Sequence, residues 1–152
     1  MKSNYQLDGA GWASATVGDG VSNVEITASY LGDALGDLLR ATESLLQGDT
    51  EARCSWEEEP GEYRWLFTSD GGDVDLQILR LPDNFPPLAD SEGVEIFRTS
   101  ESLSSVAADI ADAAQRLLDE YGEAGYLRLW GRHSFPIESL RGIRRLLAGR
   151  TP

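Results

Sequence analysis

Two hydrophobic periods alternate along this chain. Residues 12–17 and 21–31 flank Gly18-Asp19-Gly20, and the second run sets Val24, Ile26, Ala28 and Tyr30 on one face, the period-two spacing of a strand beside a glycine turn. From Asp33 to Gln47 the period lengthens. Leu35, Leu38, Leu39, Leu45 and Leu46 recur at helical spacing, with Asp33 the expected N-cap and Gly48 the expected C′ residue. Period two then returns: Ala52, Cys54 and Trp56 alternate with Arg53, Ser55 and Glu57; Tyr63, Trp65 and Phe67 with Arg64, Leu66 and Thr68; Val74, Leu76 and Ile78 with Asp75 and Gln77. A fourth run, Val94 to Thr99, follows the proline-rich segment 82–93, but its alternation is imperfect because Ile96 and Phe97 fall on opposite faces.

The strongest periodicity spans Leu103, Val106, Ala107, Ile110, Ala114, Leu117, Leu118 and Tyr121, which predicts a helix capped by Ser102 and ended by Gly122. Residues 123–132 fit a short helix or an extended segment equally well. After Ser134-Phe135-Pro136, the spacing of Ile137, Leu140, Ile143 and Leu147 predicts a last helix with proline in its first turn. The short connections between strands require antiparallel pairing, since a parallel neighbour needs a crossover of about a dozen residues. The expected fold is one α+β domain over residues 1–152, with an antiparallel sheet of about six strands in the order β-β-α-β-β-β-β-α-α and helices packed on one face.

Composition adds constraints. A hydrophobic fraction of 41% with four Trp, five Tyr and four Phe supplies a core without covalent staples. Cys54 and His133 are the sole members of their types, so an intrachain disulfide and a four-ligand Cys/His zinc site are both out of reach. The first residues, MKSNYQLDGAGW, carry no apolar run, and no stretch approaches the roughly 18 apolar residues of a membrane span, which predicts a cytoplasmic location. Twelve of the thirteen basic residues are arginine, the composition of a high-GC bacterial gene.

The net charge of −13 disfavours nucleic acid and anionic membrane, and favours a basic protein partner. It is unevenly spread: residues 1–124 hold 7 Lys and Arg against 25 Asp and Glu, while residues 125–152 hold 6 against 1. The arginines of that tail, Arg141, Arg144, Arg145 and Arg150, are expected to complement the helix end, pair with Glu138, or meet acidic surface on the body or on a second copy. The last case would make a homodimer.

Candidate chemistry is sparse. Glu57, Glu58, Glu59 and Glu62 surround Pro60-Gly61 and are flanked by Trp56, Tyr63 and Trp65. Either this is a solvated turn over core aromatics, or it is an acidic, aromatic-edged tip that steers a basic surface. Trp56, Glu57, Glu58, Glu59 and Glu62 are the candidate partner-binding set. Asp73 and Asp75 share a strand face, but DGGDVD lacks calcium-loop spacing. Asp33 with Asp37, and Asp109 with Asp112, are read as structural. A Cys54–His133 pair would need hydrogen-bond reach, and Cys54 alternates with core positions. Gly9-Ala10-Gly11 is no dinucleotide motif, and GxxxxGK[ST] is absent. No catalytic residue, metal or cofactor is expected.

The element order, size and acidity, together with CSWEEEPGEYRWLF and the acidic turn after it, resemble small bacterial proteins of the kind that serve as immunity proteins in polymorphic toxin systems. The resemblance implies an inhibitor that binds and blocks a cognate toxin, often basic, without catalysis of its own. It carries over no individual residue, and the basic tail departs from a uniformly acidic inhibitor. The leading expectation is a non-enzymatic protein-binding domain. One alternative is a small-molecule binder or small enzyme with a pocket between sheet and helices. Another is a homodimeric scaffold or chaperone-like adaptor exposing the Leu66, Leu79 and Leu81 side of the sheet.

Overall fold

The computed structural model describes residues 1–150. The chain opens with a three-stranded antiparallel meander, β1 (Lys2–Gly9), β2 (Trp12–Gly18) and β3 (Asn23–Ser29). Helix α1 (Ala34–Leu46) leads into a four-stranded meander, β4 (Glu51–Glu57), β5 (Glu62–Ser69), β6 (Asp73–Leu81) and β7 (Val94–Ser102). The chain then closes with α2 (Leu103–Trp130) and α3 (Ile137–Ala148).

The α+β class and the antiparallel pairing agree with the sequence pattern, but the strands form two sheets of three and four rather than one sheet of about six. Within the meanders, short turns oblige neighbours to pair everywhere but between β6 and β7, where residues 82–93 intervene and the pairing is nonetheless antiparallel. Between β3 and β4 the chain passes through α1, which frees β4 to start a second sheet. The extra strand is β1, where only Tyr5 and Leu7 are buried among polar neighbours. What fixes β1 is distant in sequence: Asp109 of α2 accepts from the Ser3 amide at 3.1 Å and the Ser3 hydroxyl at 2.6 Å, and Arg116 donates to the Ser3 carbonyl at 2.9 Å. Where β1 turns into β2, a Cβ on Gly11 would lie 2.7 Å from the Tyr30 ring, so only glycine fits.

Both sheets, α1 and α2 share one core. Trp56, Trp65, Phe67, Leu76, Ile78 and Phe97 supply its share from the second sheet, while Tyr5, Ala13, Ala15, Val17, Ile26 and Ala28 supply that of the first. An aromatic row ties the two together: Tyr5 meets Trp56 edge-on at 5.5 Å between ring centroids, Trp56 meets Trp65 at 5.2 Å, and Trp65 meets Phe67 at 6.2 Å. α1 packs on β4, α2 on β1, and α3 on both of those helices. The enclosed void that Tyr5, Leu35, Leu38, Trp56, Trp65 and Ile110 line amounts to about 10 Å³, room for about one water.

Ser102 caps α2 as expected, accepting from the Ser105 amide at 3.1 Å. Asp33 holds the N-cap position of α1 as expected, but its side chain makes no cap hydrogen bond and accepts instead from Arg40 at 2.8 Å. Gly122 breaks α2 without ending it: at φ 68°, ψ 171° the chain kinks and then continues as helix to Trp130, so residues 123–130 are helical. Those dihedrals belong almost solely to glycine, and Gly122→Ala is expected to cost about 1–3 kcal/mol in urea denaturation. A loss of only a few tenths would show that the kink relaxes freely. In β7 the alternation fails because of a bulge: Ile78 faces Phe97 and Leu79 faces Glu95, leaving Ile96 as the extra residue.

Candidate functional site

Antiparallel pairing puts Ser55, Glu57, Glu62, Arg64, Leu79 and Leu81 on the outer face of the second sheet, opposite the core. Among the described residues no α-helix packs on that face. Residues 82–93 leave the end of β6, fold over it and return to β7 where Val94 pairs with Arg80, an Ω-like strap with adjacent ends. Leu79 and Leu81 are buried beneath it. Of the apolar side expected of a scaffold, Leu79 and Leu81 are thus covered by the strap, while Leu66 is half-buried.

The strap is held by charge. Arg64, 8% exposed, donates to Glu62 through Nη2 at 2.6 Å and Nε at 3.2 Å, and to Asp90 of the strap through Nη1 at 2.7 Å. Ser55 donates to Glu62 at 2.5 Å, and Arg53 reaches Asp90 at 2.7 Å. Nearer the hairpin tip, the Asn84 side-chain amide donates to a Glu57 carboxylate oxygen at 2.6 Å and to the Glu58 carbonyl at 3.1 Å. The Glu58 carboxylate also accepts from the Thr27 hydroxyl of β3.

These contacts redistribute the candidate set. Trp56 is 0% exposed, wedged between Tyr5 and Trp65, and Glu62 is 6% exposed within its ion pair; neither presents atoms to a partner. Glu57 and Glu58 are half-buried with their carboxylates engaged inside the molecule, and Glu59 alone of the set is exposed. In place of Trp56 the tip carries Phe85, 86% exposed. Asp83 accepts from the Asn84 amide at 2.9 Å and the Phe85 amide at 3.2 Å, while Asn84 anchors the same turn to Glu57 and Glu58. The phenyl ring thus stands out from a braced loop, bordered by Asp83 and the glutamates of the tip. Its sequence signal was an aromatic in a polar, proline-rich loop where no strand or helix period required one.

Hydrogen bonds from Arg53 and then Arg64 hold Asp90 below the usual aspartate range. A carboxyl with a depressed folded pKa contributes stability that is present above its unfolded value, near 3.9, and is lost as pH falls through the folded one. The strap is accordingly expected to loosen below about pH 4. Amide exchange of residues 84–93 would show this, and Asp90→Asn should loosen the strap at every pH and remove that dependence.

The remaining candidates fall outside this surface. The Cys54 thiol is buried and pushed well above its ordinary pKa by desolvation and then by Asp37, the opposite of an activated nucleophile. His133 is half-buried and makes no hydrogen bond with Cys54. Asp75 pairs with Arg98 at 2.6 Å, Asp73 is exposed, and no group of three or more His, Cys, Asp or Glu among the described residues could hold a metal. Two arginines of the basic tail reach the body: Arg144 pairs with Asp112 at 2.8 Å, and Arg150 donates to the Ser104 hydroxyl and the Gly71 carbonyl, both at 2.8 Å, whereas Arg141 pairs within α3 with Glu138 at 3.1 Å. No helix among the described residues is long and apolar enough to cross a membrane. Comparison with protein-family models, curated proteins and solved structures finds no match to this chain.

Proposed function

We propose that this chain is a protein-binding domain that docks a basic partner surface through the braced strap and the acidic β4–β5 tip. The observation that carries the reading is Phe85, a large apolar side chain 86% exposed on a loop fixed to carboxylate-bearing neighbours. Binding hot spots are aromatic anchors that fill a partner's pocket, and the surrounding charge steers encounter and fixes orientation. The finer reading is an immunity-type inhibitor that occludes a basic toxin, and the net charge of −13 supports it.

Replacing Glu58, Glu59 and Asp83 together by Gln, Gln and Asn is expected to slow association with a captured partner about tenfold at low salt and to flatten its salt dependence. Stopped-flow kinetics against the partner would show it. Unchanged association rates would remove the tip carboxylates from the docking surface.

A further inference from the structure

None of residues 82–93 is buried, and only Asn84, Leu88, Asp90 and Gly93 are half-buried, so the strap brings almost no apolar area of its own to the fold. Its backbone–backbone hydrogen bonds, Glu92 to Ala89 and Gly93 to Asp90, both at 3.0 Å, close within the strap. The carboxylates of Asp83 and Glu92 likewise accept only from strap amides. Every hydrogen bond between the strap and the rest of the described chain runs through two side chains: Asp90 accepts from Arg53 and Arg64, and Asn84 donates to Glu57 and the Glu58 carbonyl.

What the strap covers is as separate from the core as its anchors are. Leu79 and Leu81 are buried, yet they lie outside the shared core, on the face of β6 opposite Leu76 and Ile78. Leu79 sits under the return end of the strap, where a Cβ on Gly93 would come within 3.1 Å of it. Strand pairing sets Arg64 beside Leu79 and Glu62 beside Leu81, so the anchor and the two leucines share one small patch. Segments with few buried apolar contacts and no ladder bonds open at a lower free energy than the core they rest on. Lifting the strap breaks the bonds at Asp90 and Asn84 and exposes two leucines. Both sheets keep their ladders, and the aromatic row between them stays in place.

We infer that the strap is a latched gate: residues 82–93 swing off the outer face as a unit while both sheets stay folded, released at Asp90 and Asn84. The chain thus alternates between a closed form that covers Leu79 and Leu81 and an open form that exposes them. Only the closed form holds Phe85 at the acidic tip, because the Asn84 that latches the strap also fixes the turn that carries the ring. The consequence for binding rests on the docking reading: affinity scales with the closed fraction, so the gate sets how much of the protein is ready to bind.

Opening is read in the free protein, so loss of the docking reading would leave the result unmoved. Leu79→Cys places a thiol beneath the strap, and the native Cys54, buried in the core, is the reference in the same molecule. Cleavage after Arg53, Arg64 and Arg80 puts the two thiols in separate tryptic peptides, so iodoacetamide labelling of each is followed by mass spectrometry. The introduced thiol is expected to label about a hundredfold faster than Cys54, with less than about half its urea dependence, the mark of an opening that exposes little surface. Asp90→Asn should speed labelling of the introduced thiol about tenfold by removing the charge-assisted latch. Equal rates and equal urea slopes at the two thiols would overturn the inference, since the strap would then open only with the whole fold. So would an introduced thiol that labels as fast as an unfolded peptide, or one indifferent to Asp90→Asn. Leu81→Cys gives the same readings if the first variant does not fold.

Discussion

Arg64→Ala is expected to destabilise the protein by about 3–5 kcal/mol, the largest effect of any single change on the outer face. The residue is not in the hydrophobic core, and its loss removes modest apolar area. The cost comes from what it leaves behind: a Glu62 carboxylate that is 6% exposed, that keeps only the Ser55 hydroxyl, and that lies under a strap also deprived of one of its two arginine anchors at Asp90. An unpaired buried charge costs far more than the net contribution of the pair that satisfied it. The paired replacement Arg64→Met with Glu62→Leu should recover most of the loss, because both charges leave together and apolar side chains fit over Leu79 and Leu81. Urea denaturation of wild type, single and double variants gives the comparison. A single variant within about 1 kcal/mol of wild type would mean that water reaches Glu62 and that the strap does not seal the face.

Phe85→Ala carries the second large effect, on binding rather than on folding. The ring is almost wholly solvated in the free protein, so truncation should change stability by no more than about 0.5 kcal/mol. In a complex, an aromatic anchor of this size typically accounts for 2 kcal/mol or more, so partner affinity should fall about thirtyfold or beyond. Most of that loss belongs in the dissociation rate, since the carboxylates that govern encounter are untouched. The two substitutions therefore separate the roles of the loop: Arg64 holds it in place and Phe85 is what it presents.

Much of this was legible in the chain. The alternation of Cys54, Trp56, Trp65, Phe67, Leu76 and Ile78 places the inner face of the second sheet correctly, and the stripe from Leu103 to Leu117 places α2. What escaped was set by contacts distant in sequence. β1 depends on Asp109 and Arg116, and the split into two sheets depends on where α1 delivers β4. At Gly122 the residue type signalled a break but not that helix would resume beyond it. The run of glutamates after Trp56 reads as four free charges in sequence. In the fold, Thr27, Arg64 and Asn84 engage three of them, and the exposed aromatic comes instead from a loop more than twenty residues on.

The most direct test of the docking account uses wild type, Phe85→Ala and Val21→Ser as matched baits in lysate of the source cells. Captured proteins would be identified, and the dissociation rate of any near-stoichiometric basic partner measured at two salt concentrations. Val21 is the proper control because it is 95% exposed on the β2–β3 turn, away from the strap. The expected result is a basic protein held by wild type and Val21→Ser and released at least about thirtyfold faster from Phe85→Ala. A basic partner held equally by all three baits would contradict the account.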